Sequence, residues 1–306
     1  MEKRSLGSLQ VSTVGIGCNN FGMRLDLEGT KNVVDAAIES GINYFDTADI
    51  YGGTKSEVLL GQALGNRRSD VIIATKFGMP IDDTRFGAKP AYVKSACEDS
   101  LRRLGTDYID LYQLHYPDDT TPIADTLAAL HDLVREGKVR EIGCSNLNPA
   151  QMREAKEAAG SGPAFVSIQN QYSLLARTPE HDGVLDACEE LGVGFIPFYP
   201  LANGLLTGKY LPGQPIPEGT RLSLMPAERT AHWLSDALFA RVGALIQYAD
   251  EVEIPILTLA FSWLLARDQV ATVIAGASSA EQVKANVAAV RTLPTEVLAM
   301  LDILTD

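Results

Sequence analysis

The feature that most constrains this chain is a recurrence. Eight short apolar runs punctuate it, and helical periodicity fills most of the intervals between them. The runs are Val14–Gly17, Asn43–Asp46, Val71–Lys76, Ile109–His115, Val139–Ser145, Phe165–Asn170, Gly194–Tyr199 and Val270–Ala275. They are largely apolar on both faces, and no two are joined by a two-residue turn. Strands of that kind lie parallel, with helices as crossovers. Eight such units close into a (β/α)8 TIM barrel. An open doubly wound sheet would want Gly-x-Gly-x-x-Gly after its first strand, and Gly15-Ile-Gly17-Cys-Asn-Asn-Phe-Gly22 does not have that spacing.

Weak alternation from Lys3 to Ser12 around Gly7-Ser8 predicts an N-terminal β-hairpin, and Ala280–Val290 and Thr295–Leu304 predict extra C-terminal helices. Thr30–Ser40 carries a helical stripe, and Ser56 is placed to cap a helix over Glu57–Leu64. The Gly/Pro-rich stretch from Pro200 to Pro226 has no periodic run, but strand and helix units resume after it. It reads as a loop inside one barrel domain spanning residues 1–306, a length that α/β barrels reach as single domains.

Charge and cysteine usage narrow the function. A net charge of −13 argues against nucleic acid or an anionic membrane as partner. No apolar run approaches the ~20 residues of a membrane span, and no apolar core follows the N-terminal Lys3-Arg4 pair. Cys18, Cys97, Cys144 and Cys188 are far apart without metal-type spacing, which predicts reduced thiols in a cytoplasmic protein. Of His115, His131, His181 and His232, only His115 falls at a strand end, so no metal site is expected.

In a barrel the reacting groups sit at the C-terminal ends of the strands. Three successive strands here end in Asp46, Lys76 and His115, and Tyr51 follows Asp46 by five residues. Neighbouring parallel strands are ~5 Å apart, so these side chains can converge. A buried lysine needs a counter-ion, and Asp46 is one strand away. A nearby ammonium lowers a phenol's pKa, and an imidazole can orient what lies between itself and the phenol. The set Tyr51, Asp46, Lys76 and His115 is therefore a candidate catalytic group for delivering a proton to a carbonyl oxygen.

Beyond these residues, the sequence resembles the aldo-keto reductases over essentially its whole length. The resemblance is carried by Asn43-Tyr-Phe-Asp46-Thr-Ala-Asp-Ile-Tyr51-Gly, Ala-Thr-Lys76, Asp-Leu-Tyr-Gln-Leu-His115, Gly-Cys-Ser145-Asn146, Gln169-Asn-Gln-Tyr and Pro200-Leu-Ala-Asn-Gly-Leu-Leu-Thr-Gly-Lys209. It implies hydride exchange between a nicotinamide cofactor and a carbonyl or alcohol. Tyr51 would be the general acid, Lys76 with Asp46 would lower its pKa, and His115 would orient the carbonyl. Ser145, Asn146 and Gln169 would hold the nicotinamide carboxamide, with Gly17 and Asp46 beside them. Phe198 stands where the family usually has a Tyr or Trp stacked on the ring, and Tyr199 where it usually has Ser. Leu201 and Gly204 to Lys209 would line the diphosphate. Gly276, Ser278, Gln282 and Asn286 fall at the adenosine end, where NADPH-preferring members usually carry Lys or Arg. Family habit favours NADPH, with NADH the alternative.

On that resemblance the substrate would be a small carbonyl or alcohol, and Phe77, Phe86, Tyr116, Tyr210 and Trp233 are candidate walls for it. The oligomeric state leaves no mark in the sequence. Two other readings share these residues: a Schiff-base aldolase using Lys76, and a non-catalytic nucleotide-binding barrel that regulates a partner.

Overall fold

The eight runs do form one sheet. In the computed structural model, which describes residues 1–306 apart from His232 and the side chains of Ala227 and Arg229, the chain opens with a two-stranded hairpin, β1 (Lys3–Leu6) and β2 (Leu9–Ser12). The barrel strands follow: β3 (Val14–Gly17), β4 (Tyr44–Asp46), β5 (Ile72–Phe77), β6 (Ile109–Leu114), β7 (Val139–Ser145), β8 (Ser167–Gln171), β9 (Gly194–Phe198) and β10 (Val273–Gly276). All pair in parallel, in the order β10-β3-β4-β5-β6-β7-β8-β9. The seam between β9 and β10 is closed just ahead of β10, where the Phe195 N–H donates to Gln269 O (2.7 Å) and the Ala271 N–H to Phe195 O (2.9 Å). The run expected as one strand over Val270–Ala275 is therefore shared: its first residues serve β9 and its last serve β3.

Helices α1 (Leu27–Glu39), α2 (Lys55–Leu64), α3 (Pro90–Leu104), α4 (Ile123–Arg135), α5 (Pro149–Ala159), α6 (Thr178–His181), α7 (Val184–Leu191), α8 (Ala227–Thr230), α9 (Asp236–Glu251), α10 (Ile256–Leu265), α11 (Ala280–Ala288) and α12 (Thr295–Thr305) make the crossovers and the C-terminal additions. Helix α1 starts three residues earlier than its apolar stripe, because Asp26 accepts from the Gly29 N–H as its N-cap. Ser56 is no cap. It sits inside α2, donates to Cys18 O and bonds Thr47 Oγ1, while Thr54 occupies the cap position at φ +73° without a side-chain bond. Among the described residues no helix is long and apolar enough to cross a membrane.

Strand alternation divides the core into two layers. Tyr44, Ile72, Ala74, Leu111, Ile196 and Ile274 fill the lumen, and Leu6, Leu9 and Val11 of the hairpin join them, plugging its lower end. Phe45, Ile73, Tyr112, Ile142, Ile168 and Phe195 point the other way, onto the helices. The lumen is solid with side chains below, so within the barrel the room for a ligand lies at the upper, C-terminal end.

Candidate active site

At that upper end lies a cavity of about 700 Å3. Its wall includes Gly17, Asp46, Tyr51, His115, Ser145, Asn146, Gln169, Phe198, Tyr199, Leu201, Gly204, Lys209, Gly276, Ser278, Gln282 and Asn286. Lys76 is not on that surface, and of the run Gly204 to Lys209 only Gly204, Thr207 and Lys209 reach it, Leu205 and Leu206 being buried in the core.

Lys76 lies directly behind it. Alternation along β5 sends its side chain into the lumen, where it is fully buried and forms no part of the cavity wall. Its ammonium donates to Asp46 Oδ1 (2.5 Å), Thr47 O (2.9 Å) and Tyr51 Oη (3.5 Å), so all three protons are engaged. Burial pulls the Lys76 pKa down, but Asp46 and Tyr51 outweigh that pull and the net shift is upward. The site holds an ammonium.

Tyr51 is half-buried and opens onto the cavity. Burial raises its pKa and the Lys76 charge lowers it; the first effect is larger, so the net shift is upward. Lys76 does lower the phenol pKa, as expected from the sequence, but it offsets only part of the desolvation. The phenol stays protonated at neutral pH. Since its oxygen accepts from Lys76, its own proton is free to point into the cavity.

His115 follows β6, edge-on to Tyr51 (ring centroids 5.8 Å, 77°) and stacked on Tyr116 (5.7 Å). Burial and then the Lys76 charge push its pKa down to about 3, so the imidazole is neutral. Nδ1 is buried without a partner among the described residues. An unpaired lone pair there costs less than an unpaired N–H, which favours the tautomer with its proton on Nε2. Around the rim Asn146, at φ +62°, donates Nδ2 to His115 O (3.0 Å) and Ser145 Oγ (2.9 Å), and Ser145 Oγ donates to Gln169 O (2.6 Å).

The end of the cavity that the resemblance assigns to adenosine has no cation at Gly276, Ser278 or Gln282, and Gln282 Oε1 accepts from the Ser278 N–H (2.8 Å). Positive charge arrives from elsewhere. Arg24, Lys209 and Arg221 all line the cavity, and Arg24 and Arg221 lower the Lys209 pKa after burial has done so. None of the three has a carboxylate partner among the described residues, whereas Arg67, Arg68, Arg103 and Arg140 all do. Arg24 and Arg221 escaped sequence reasoning, since they lie in loops outside the strand-end pattern.

The aromatic candidates separate. Tyr116 lines the cavity. Phe77 does not: being next to Lys76, it points outward, fully buried and 4.7 Å from the Tyr112 ring. Tyr210 is also core, and its hydroxyl accepts from the Leu222 N–H. Trp233 is not part of the wall but backs Tyr199 edge-on at 6.2 Å. Phe86 is exposed away from the cavity wall. Tyr199 itself sits at φ +52°, a strained setting for a bulky residue, with the Arg221 guanidinium 5.5 Å from its ring centre.

Behind the loop from Asp46 to Tyr51 lies a second polar cluster. Asp49 is fully buried, its N–H donates to Lys76 O (3.1 Å), and its carboxyl lies near the Tyr92 hydroxyl without a hydrogen bond of good geometry to it. Glu57 beside it is saturated by Thr75 (2.6 Å) and Arg103 (2.6 Å). Burial, then the Glu57 charge, raise the Asp49 pKa to about 7. No cluster of His, Cys, Asp and Glu able to hold a metal occurs among the described residues.

Comparison with known proteins gives a consistent picture. The model of the Aldo/keto reductase family matches residues 13–306. An uncharacterized oxidoreductase of Bacillus subtilis, YqkF, is 37% identical, over 94% of this chain and 91% of that protein. A probable voltage-gated potassium channel subunit beta of Arabidopsis thaliana is 33% identical, over 99% of this chain and 95% of that protein. Among solved structures, an aldo-keto reductase from Bacillus halodurans in its holo form superposes with a TM-score of 0.83 at 37% identity, covering 100% of this chain and 97% of that one.

Proposed function

This chain belongs to the aldo/keto reductase family and is an oxidoreductase, and from that premise we propose that it reduces aldehydes or ketones, or oxidises the matching alcohols, with Tyr51 as the acid and base. The observation that carries this reading is the phenol of Tyr51 on the cavity surface with the sealed Lys76 ammonium behind it. A nicotinamide, when bound, supplies or takes up the hydride.

The chain's own residues fit that cofactor. Gln169 commits its NH2 to Asp46 and keeps Oε1 as an acceptor for a carboxamide, with Ser145 and Asn146 beside it. Phe198 offers a ring face to the nicotinamide. Arg24, Lys209 and Arg221, lacking carboxylate partners in a chain of net charge −13, suit the diphosphate and a 2′-phosphate. They favour NADPH over NADH although the usual cationic positions are empty of charge.

In reduction, the neutral His115 orients the carbonyl oxygen through Nε2–H. Tyr51 gives its proton to that oxygen, and the resulting phenolate is met by the Lys76 ammonium, which Asp46 keeps charged. A Schiff-base reaction at Lys76 does not fit a fully buried ammonium whose three protons are all engaged. A regulatory barrel would bind the nucleotide without steady turnover.

The test is Tyr51→Phe, with NADPH and NADH titrated by nicotinamide fluorescence. Carbonyl reduction should fall by several orders of magnitude while NADPH still binds and more tightly than NADH. Near wild-type turnover would sink Tyr51 as the acid, and tighter NADH binding would sink the role given to the three cations.

A further inference from the structure

Asp46 gathers bonds from across the lumen. Its Oδ1 takes the Lys76 ammonium, and its Oδ2 takes two carboxamides, Gln169 from β8 at 2.9 Å and Gln113 from β6 at 3.2 Å. A carboxylate can only accept, so both amides must present Nε2 to it, and their orientation is settled by chemistry. For Gln169 that turns Oε1 toward the cavity. Gln113 faces nothing of the kind: it is fully buried, absent from the cavity wall, and its Oε1 has no partner among the described residues. An unpaired buried acceptor costs on the order of 1–3 kcal/mol. The only side-chain hydrogen bond Gln113 makes among the described residues is the one to Asp46. Leucine would fill much the same space without that cost.

We propose that Gln113 is a positioning residue: it holds the Asp46 carboxylate at the rotation that keeps Oδ1 on Lys76 and, through Lys76, keeps the ammonium against Tyr51. The inference rests on Tyr51 as proton donor. Gln169 holds the same oxygen but also lines the cavity, where its Oε1 is available to a ligand. Gln113 has no second duty. With it removed, the carboxylate is free to turn, and the 3.5 Å contact between Lys76 and Tyr51 is the weakest link to give way.

The experiment uses the full chain with Gln113→Leu and Gln113→Glu, and Tyr51→Phe as baseline. Gln113→Leu should lower kcat roughly tenfold or more by misplacing the ammonium, leave the Kd for NADPH within about twofold, and move the alkaline limb of the pH–rate profile upward as Tyr51 loses its cation. Gln113→Glu carries its own signature. At acid pH a protonated glutamic acid can still donate to Asp46 Oδ2, so activity approaches wild type. It then falls as pH rises and the second carboxylate ionises beside the first. Wild-type kcat and pH profile in Gln113→Leu, or a Gln113→Glu profile parallel to wild type, would overturn the proposal. If the leucine variant does not fold, the glutamate profile decides alone. Substantial turnover in Tyr51→Phe would instead point to failure of the underlying acid assignment, a different result.

Discussion

Asp49→Asn should make the protein more stable, and increasingly so as pH rises. The Asp49 carboxyl is buried beside Glu57 and near the Tyr92 hydroxyl, and its pKa moves from 3.8 to about 7. A group whose folded pKa is raised above its unfolded value binds a proton more tightly in the native state. Stability is then greatest below the unfolded pKa, falls as pH rises from about 4, and levels off above about 7. Three units at 1.36 kcal/mol each give about 4 kcal/mol over that window. Asparagine keeps the shape and cannot ionise. The assay is urea denaturation of both proteins at pH 4.5, 6, 7 and 8, read as the difference between them. His115 contributes an opposite slope, since its folded pKa is lowered to about 3 and stability from that group rises with pH up to about 6.5. It contributes equally in both proteins and cancels in the difference. A difference that stays flat from pH 4.5 to 8 would refute the reading of Asp49 as a neutral buried acid.

Two further outcomes follow from the same geometry. Lys76→Met should cut kcat by at least about a hundredfold and raise the alkaline limb of the pH–rate profile, because burial and the Asp46 charge then act on the Tyr51 pKa unopposed by Lys76; an unmoved limb would show that the ammonium does not act on the phenol. Gly61→Ala on α2 should destabilise the protein by about 2 kcal/mol or more, even though alanine is the better helix former, because its Cβ would lie 2.2 Å from the Leu104 carbonyl oxygen of α3; an unchanged melting temperature would show that the two helices can part freely.

Much of this was legible in the sequence because barrel strands alternate strictly. Asp46, Lys76 and His115 could be placed on one end from strand ends alone. The same alternation, carried one residue further, would have turned Phe77 outward, and two residues back from His115 it would have pointed to Gln113. The residues that stayed hidden have no periodic frame. Arg24 and Arg221 reach the cavity from loops whose path is set by packing against the finished barrel. The direction of the Tyr51 shift was also out of reach, since it is a contest between burial and Lys76, and a sequence names the charge without giving the burial.

The bonds converging on Asp46 span long stretches of chain, with 67 residues separating it from Gln113 and 123 from Gln169. They cross the lumen and do not follow the sheet, so local pairing of β4 with β5 cannot make them. A chain that has laid down only its first strands can set Lys76 beside Asp46 but leaves Oδ2 without its donors. The proton-handling centre thus comes into being late, when the sheet has curled far enough to bring β8 opposite β4. Activity recovered during refolding therefore reports curling of the whole barrel, and should lag behind any signal from the first few βα units.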